Sequence, residues 1–270
     1  MSKLRVLDLF SGIGGFSLGL ERAGGFETVA FCEIESFPRK VLARHWPEVP
    51  CYEDVTKLTG DILARDGIAV DVITGGFPCQ DISTAGKQAG MGAGTRSGLW
   101  SEIVRLIGEL RPRYVIVENV AALLAGPSEK RGGWFGRILG DLAECGYDAE
   151  WENIPAAALG APHRRERVWV VAYTKRDEQP WEKPCVGPFG RMGRVEQSMA
   201  WIGGWENTLA TLRRMDDGVS RSVDRTDAMR NAVIPQIPEL IGRAILAAES
   251  RHNAGSSAPE RTGVVEVPAQ

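Results

Sequence analysis

Three short segments hold residue types that together could attack and protonate a flat ring. Cys79 sits in the stretch GGFPCQDIS, Gly75 to Ser83, straight after Pro78 and just past the strand-like run Val70 to Thr74. That arrangement presents a thiol at the carboxyl end of a strand, where open α/β sheets do their chemistry. Proline stiffens the approach, and the paired glycines let a backbone or ligand come close. Alone, a Pro-Cys turn fits an inert buried thiol as well as a nucleophile. Glu118 ends the strand-like run at Val117-Glu-Asn-Val120, and Arg165 and Arg167 stand in PHRRER immediately before the apolar run Val168 to Val171. A thiolate nucleophile, a carboxyl proton donor and guanidiniums to take up developing negative charge form a coherent catalytic set. Each member has a plainer reading, as a helix cap, an ion pair or a basic hairpin.

The elements that must position these residues are legible as alternating strands and helices. Leu4 to Leu9 reads as a buried strand, followed by the glycine turn FSGIGG and a helical run from Phe16 to Ala23. A second apolar run, Thr28 to Cys32, ends in Glu33 about twenty residues after the glycines, as the acidic partner of a ribose does in nucleotide-binding sheets. Helical spacing follows from Phe37 to His45, from Gly98 to Leu110 and from Gly133 to Cys145. Strands are expected at Val70 to Thr74, Tyr114 to Val117 and Val168 to Tyr173. This alternation predicts an α/β fold with a doubly wound, mostly parallel sheet. The glycine turn lacks strict GxGxxG spacing, which disfavours a nicotinamide dinucleotide. Asp54, where a third strand should end, could accept a hydrogen bond from an adenine amino group. With Glu33 it describes an adenosine pocket.

Composition bounds the rest. The 270 residues, 43% hydrophobic and 25% charged, suit a soluble globular chain with one large domain. The longest apolar runs are strand length, and no secretory cleavage pattern opens the chain. Five cysteines without a CxxC pair or a histidine cluster point to a reducing cytoplasm and to no metal site. Net charge is -3, yet Gly160 to Arg230 holds eleven Arg and two Lys against ten acidic residues. That split fits a cleft with one basic wall and equally a solvated face.

The predicted organisation is a main domain over 1–173, a small irregular second region over 174–224, a return to the main domain over 225–249 and a disordered tail over 250–270. The second region mixes Trp181, Trp201 and Trp205 with Arg191, Arg194, Arg213 and Arg214. This mixture suits phosphate contact and base-edge reading, and equally the core of a tiny domain.

In order along the chain, DLFSGIGGF, Glu33, Asp54, GGFPCQDIS, ENV, RRER before a strand and NAVIP at Asn231 to Pro235 resemble the DNA cytosine-5 methyltransferases, in particular compact Dcm-type enzymes of phages and prophages. His163 stands where that family commonly has Gln, and Arg230 where NAV usually follows Gly. The resemblance implies a Rossmann-like methyltransferase sheet that uses S-adenosylmethionine and a flipped-out cytosine in double-stranded DNA. It implies that Cys79 adds to carbon 6, that Glu118 protonates the ring and that Arg165 and Arg167 complete the catalytic group. It further implies a cofactor pocket in which Phe10 stacks on the adenine and Gly12, Gly14 and Gly15 line the methionine part. Glu33, Ile34, Asp54, Val55, Pro78, Leu99, Asn231 and Val233 complete that pocket. Gln80, Ser83, Lys87 and Arg96 would contact DNA. A monomer in the cytoplasm of a bacterium or phage-infected cell is expected, with a restriction endonuclease as a possible associate. A relative of the same fold that modifies transfer RNA carries a Cys-Phe-Thr segment after the RRER strand, and none occurs here. A binding-only relative without turnover remains the non-enzymatic alternative.

Overall fold

The central strands are apolar on both faces, so a layer of helices must cover each. A computed structural model of the chain describes residues 2–78, 99–125, 133–156, 165–174 and 232–255. Its seven-stranded sheet has the order β3-β2-β1-β4-β5-β7-β6. The strands are β1 (Leu4–Leu9), β2 (Phe26–Cys32), β3 (Cys51–Tyr52), β4 (Val72–Gly75), β5 (Tyr114–Val120), β6 (Tyr147–Pro155) and β7 (Glu166–Thr174). The helices are α1 (Gly15–Ala23), α2 (Ser36–His45), α3 (Gly60–Arg65), α4 (Trp100–Leu110), α5 (Gly133–Glu144) and α6 (Gln236–Gly255), with a short 3-10 helix at Ala121–Ala125.

Side-chain alternation divides the core in two. Leu7 and Leu9 of β1 join Leu63 of α3, Ile103, Leu106 and Ile107 of α4, and Ile138 and Leu142 of α5 on one face. Leu4 and Val6 join Phe16 and Leu20 of α1 and Ile237, Ile241 and Ile245 of α6 on the other. Fully burying each such side chain is worth roughly 1.5–3 kcal/mol. The doubly wound sheet expected from the sequence is the one observed.

Strand order reverses between β1 and β4, which pair in parallel with Leu9 beside Gly75. Chain leaving β1 crosses to β2 on one side, and chain leaving β4 crosses to β5 on the other, so a crevice opens outside their carboxyl ends. β7 runs antiparallel between β5 and β6. Its amino end therefore lies on the same rim, with Arg167 opposite Val120.

Two elements were not anticipated. β6 alternates Tyr147, Ala149 and Trp151 with Asp148, Glu150 and Glu152, a period-2 strand pattern already present in the sequence, and exposes Trp151 at the sheet edge. The six-residue α3 buries only Leu63, too little for a periodic signal. Helix α6 continues to Gly255, into the stretch expected as tail. Residues 175–231, which hold all but the first residue of the second region expected over 174–224 and read by resemblance as target recognition, and residues 256–270 lie outside the described residues.

α6 and the segment before it press closely on α1. A Cβ on Gly19 would stand 2.2 Å from the carbonyl oxygen of Pro235, and one on Gly15 2.5 Å from that of Val233. Near the far end of α6, the buried Glu249 accepts from Arg113 and from the Tyr114 hydroxyl at the start of β5. Gly19→Ala should therefore cost roughly 1–3 kcal/mol through forced backbone displacement. Gly140→Ala, at an exposed position of α5 with open space around it, should gain about 0.5–1 kcal/mol. Urea denaturation of both variants checks the contrast, and equal effects would contradict the packing described.

Candidate active site

The carboxyl ends of β1, β2, β4 and β5 and the amino end of β7 bring most of the described candidates to one rim. At β1, the chain turns through Phe10, held at φ 52, Gly12 at φ 51 and Gly14 at φ 84. Left-handed backbone at a residue other than glycine costs roughly 1–3 kcal/mol, and such strain concentrates at ligand sites. Phe10 is half-buried, with its ring against the core. Ser11 ties this turn to β2, donating its hydroxyl to the Asp8 and Cys32 carbonyls.

The glycines of the turn serve different ends. A side chain at Gly12 would enter open space, whereas one at Gly14 would strike Trp46 and one at Gly15 would strike Val233. Gly12 is thus the one of the three that leaves room for a ligand beside the backbone. Glu33, only 7% exposed, reaches across with Oε2 accepting from the Gly12 N–H at 2.7 Å and Oε1 from the Glu35 N–H at 2.8 Å. Burial pushes its pKa up, and those backbone donors pull it back. Each carboxylate oxygen keeps a further lone pair for a ribose hydroxyl. Ile34, next in the chain, is 69% exposed, a large apolar surface beside the cradle.

The remaining cofactor candidates have the following surroundings. Asp54 is turned onto its own loop, where it accepts from the Thr56 hydroxyl at 2.7 Å and N–H at 3.0 Å and pairs with Lys57 at 3.3 Å. The Thr56 hydroxyl is the main reason its pKa is lowered. The Val55 side chain belongs to the core, and its carbonyl accepts from Arg105. Leu99 caps α4 and Pro78 ends the described part of the GGFP turn, both half-buried. Val233 packs against the core formed by α1 and α6.

Glu118 is buried at the end of β5, 8% exposed. Arg167 on β7 meets it, Nε to Oε1 at 2.9 Å. Burial pushes the Glu118 pKa up, while Arg167 and Arg165 pull it down without cancelling the rise. β4 and β5 are neighbours, Gly75 paired with Val117. A Cβ on Gly76 would lie 3.4 Å from Glu118 Oε2, so the acid faces the stem of the Cys79 turn. Arg165 lies just before β7, its carbonyl accepting from Ala156 N–H.

Cys79, Gln80, Ser83, Lys87, Arg96 and Asn231 lie outside the described residues. Among the described thiols, burial pushes Cys32 up to about 12 and also raises Cys51 and Cys145, so none is a ready thiolate.

The sequence reading passed over two features of the rim. Asn119, the middle residue of ENV, donates from Nδ2 to the Phe77 carbonyl at 3.1 Å and so holds the Gly-Phe-Pro turn against β5. Trp100 packs its ring 5.5 Å from that of Phe77 and donates Nε1 to Asp141 at 2.7 Å. The available signals were a polar residue beside a catalytic candidate and a tryptophan opening a helix.

The chain matches the family model described as C-5 cytosine-specific DNA methylase over residues 4–194. It is 36% identical over 187 residues to Type II methyltransferase M.Sau3AI of Staphylococcus aureus, covering 64% of this chain and 44% of that protein. Type II methyltransferase M2.BsuMI of Bacillus subtilis is 35% identical over 173 residues, covering 63% and 42%. The chain thus spans less than half the length of these relatives. Among solved structures, a prophage-encoded DNA modification methyltransferase of E. coli is 30% identical with a TM-score of 0.52, covering 64% of this chain and 47% of that one. Dnmt2 of Spodoptera frugiperda, 22% identical with a TM-score of 0.53 over 67% of this chain and 53% of that one, shares the fold. With the match running over most of its length, the chain belongs to the C-5 cytosine-specific DNA methylase family.

Proposed function

We propose that the chain is a DNA cytosine-5 methyltransferase that adds Cys79 to carbon 6 of a flipped-out cytosine and uses S-adenosylmethionine as methyl donor. The observation that carries this reading is the buried Glu118, paired to Arg167 and facing Gly76 just upstream of Cys79. The family match supports the reaction class. The open space at Gly12, the Glu33 carboxylate and the exposed Ile34 fit the cofactor: a backbone that can be approached, an acceptor for ribose hydroxyls and an apolar surface for adenine. When bound, S-adenosylmethionine supplies an electrophilic methyl group on a sulfonium.

The chain's own residues do the rest. Carbon 5 of cytosine is a poor nucleophile until something adds to carbon 6, and the Cys79 thiolate forms that bond. Glu118, its pKa raised by burial, donates a proton or hydrogen bond to ring nitrogen 3, so charge entering the ring is neutralised. Arg165 holds the ring carbonyl oxygen, and Arg167 fixes the Glu118 carboxyl. After carbon 5 takes up the methyl group it gives its proton to water, and the electron pair of that C–H bond forms the ring double bond as the sulfur–carbon bond breaks to return the Cys79 thiolate. A stacked base cannot be reached in this way, so the cytosine leaves the duplex at a cost of a few kcal/mol. Gln80, Ser83, Lys87 and Arg96 contact the DNA around it. The Type II names of the relatives support a modification role beside a restriction endonuclease. The chain acts as a cytoplasmic monomer on double-stranded DNA.

Bisulfite sequencing of DNA from cells expressing the chain should reveal one methylated word that vanishes with Cys79→Ser. Folded protein that leaves every cytosine unmodified would overturn the reading. Glu118→Gln should lower kcat by about 10²–10⁴-fold. Because burial raises the Glu118 pKa, the protonated acid persists further towards neutrality than in a free carboxyl. The wild-type rate should therefore fall as pH rises through that raised value. The Gln variant should lack this limb, and an unchanged profile would remove Glu118 from the proton step.

A further inference from the structure

One charged side chain lies inside the sheet without a part in the chemistry above. Asp8, fully buried in β1, stands in a strand otherwise composed of Leu, Val and one half-exposed Arg. Its Oδ2 accepts from the Ser17 hydroxyl on α1 at 2.8 Å and its Oδ1 from the Thr74 hydroxyl on β4 at 2.8 Å. Ser17 lies in the first turn of the helix that the glycine loop opens. Thr74 is the residue before Gly75-Gly-Phe-Pro. Asp8 thus sits beneath the point where the strand order reverses, joined on one side to the cofactor loop and on the other to the strand that feeds the Cys79 turn.

We propose that Asp8 is a positioning residue, a buried carboxylate that bolts the glycine loop and the first turn of α1 to β4 so that cofactor cradle and nucleophile turn keep one fixed relation. The proposal rests on the methyltransferase reading. An apolar residue of similar size would fill this site without the desolvation of a carboxylate. Burial pushes the Asp8 pKa up to about 7, against the pull of Thr74 and Ser17. Its charged form is therefore kept at a cost to stability, as strain is at functional sites. One of the surrounding carboxylates adds to that rise. Glu33 at the end of β2 adds repulsion. Glu21 on α1 is engaged by Thr28 and Trp46, Glu118 on β5 by Arg167 and Glu239 on α6 by Arg243.

Thr74→Val removes one donor at nearly constant shape, and Thr74→Ser keeps it. Calorimetric titration with S-adenosylhomocysteine should show about a tenfold weaker affinity for the Val variant and a near-normal one for Ser, the equivalent of one charge-assisted hydrogen bond. Without ligand, amides of residues 12–18 should exchange about tenfold faster in the Val variant, reported by hydrogen exchange. Asp8→Asn should weaken binding similarly. A raised folded pKa gives stability that is present below the unfolded value and lost as pH rises through about 7. The Tm difference between Asp8→Asn and wild type should accordingly move in the variant's favour from pH 5.5 to pH 8.5. Val and Ser variants with the same affinity and exchange as wild type would overturn the bolt. A wild-type chain that binds no S-adenosylhomocysteine would sink the methyltransferase reading instead, while the exchange comparison would still decide the role of Asp8.

Discussion

The reversal of strand order between β1 and β4 is the constraint on which the rest depends. Parallel strands deliver their carboxyl ends to one rim, and where two neighbours send their connections in opposite directions the loops part and leave a crevice. In this chain the glycine turn leaves β1 and the Gly-Gly-Phe-Pro turn leaves β4, with Leu9 and Gly75 side by side. Everything assigned to the chemistry hangs from that pair or from the strands beside it. Glu33 comes from β2, Glu118 from β5, and Arg167 from a strand that must run backwards to present its amino end at the same edge.

Electrostatics refine what topology assembles. Three carboxyls near the crevice are buried, and each has its pKa pushed up by desolvation. Their partners separate them. Glu118 meets guanidiniums, Glu33 meets backbone N–H groups of the cradle, and Asp8 meets two hydroxyls that join α1 to β4. Environments of this kind separate the three roles proposed for them, proton donor, ribose acceptor and structural bolt.

Much of this was legible in the residues themselves. Runs such as Leu4 to Leu9 and Val168 to Tyr173 are apolar on both faces because helices cover both, and that composition survives in the sequence. The placing of Glu118 at the same sheet edge as the turn leading to Cys79 followed from neighbouring strand ends, whereas its ion pair with Arg167 came only with the structure. What the sequence hid has physical reasons. β6 was not among the hidden parts, since its Tyr-Asp-Ala-Glu-Trp-Glu run alternates apolar and charged residues as an edge strand does. Asp8 looked like the start of a motif, because a lone acid in a strand does not reveal which hydroxyls will reach it from α1 and β4. The sequence also did not show that Trp46 and Val233 fill the space that side chains at Gly14 and Gly15 would take. The local bonds of Asp54 to Thr56 and Lys57 were likewise not legible, although aspartate often bonds to the backbone two residues on.

The central claim is a transient bond between the Cys79 sulfur and carbon 6 of cytosine, and mass spectrometry tests it most directly. DNA carrying 5-fluorocytosine in place of cytosine, incubated with the chain and S-adenosylmethionine, cannot release the enzyme, because fluorine does not leave as a proton does. The account predicts a stable protein–DNA species whose peptide map places one methylated fluorocytosine on Cys79. An adduct on another residue, or methylated DNA with no trapped protein, would contradict it.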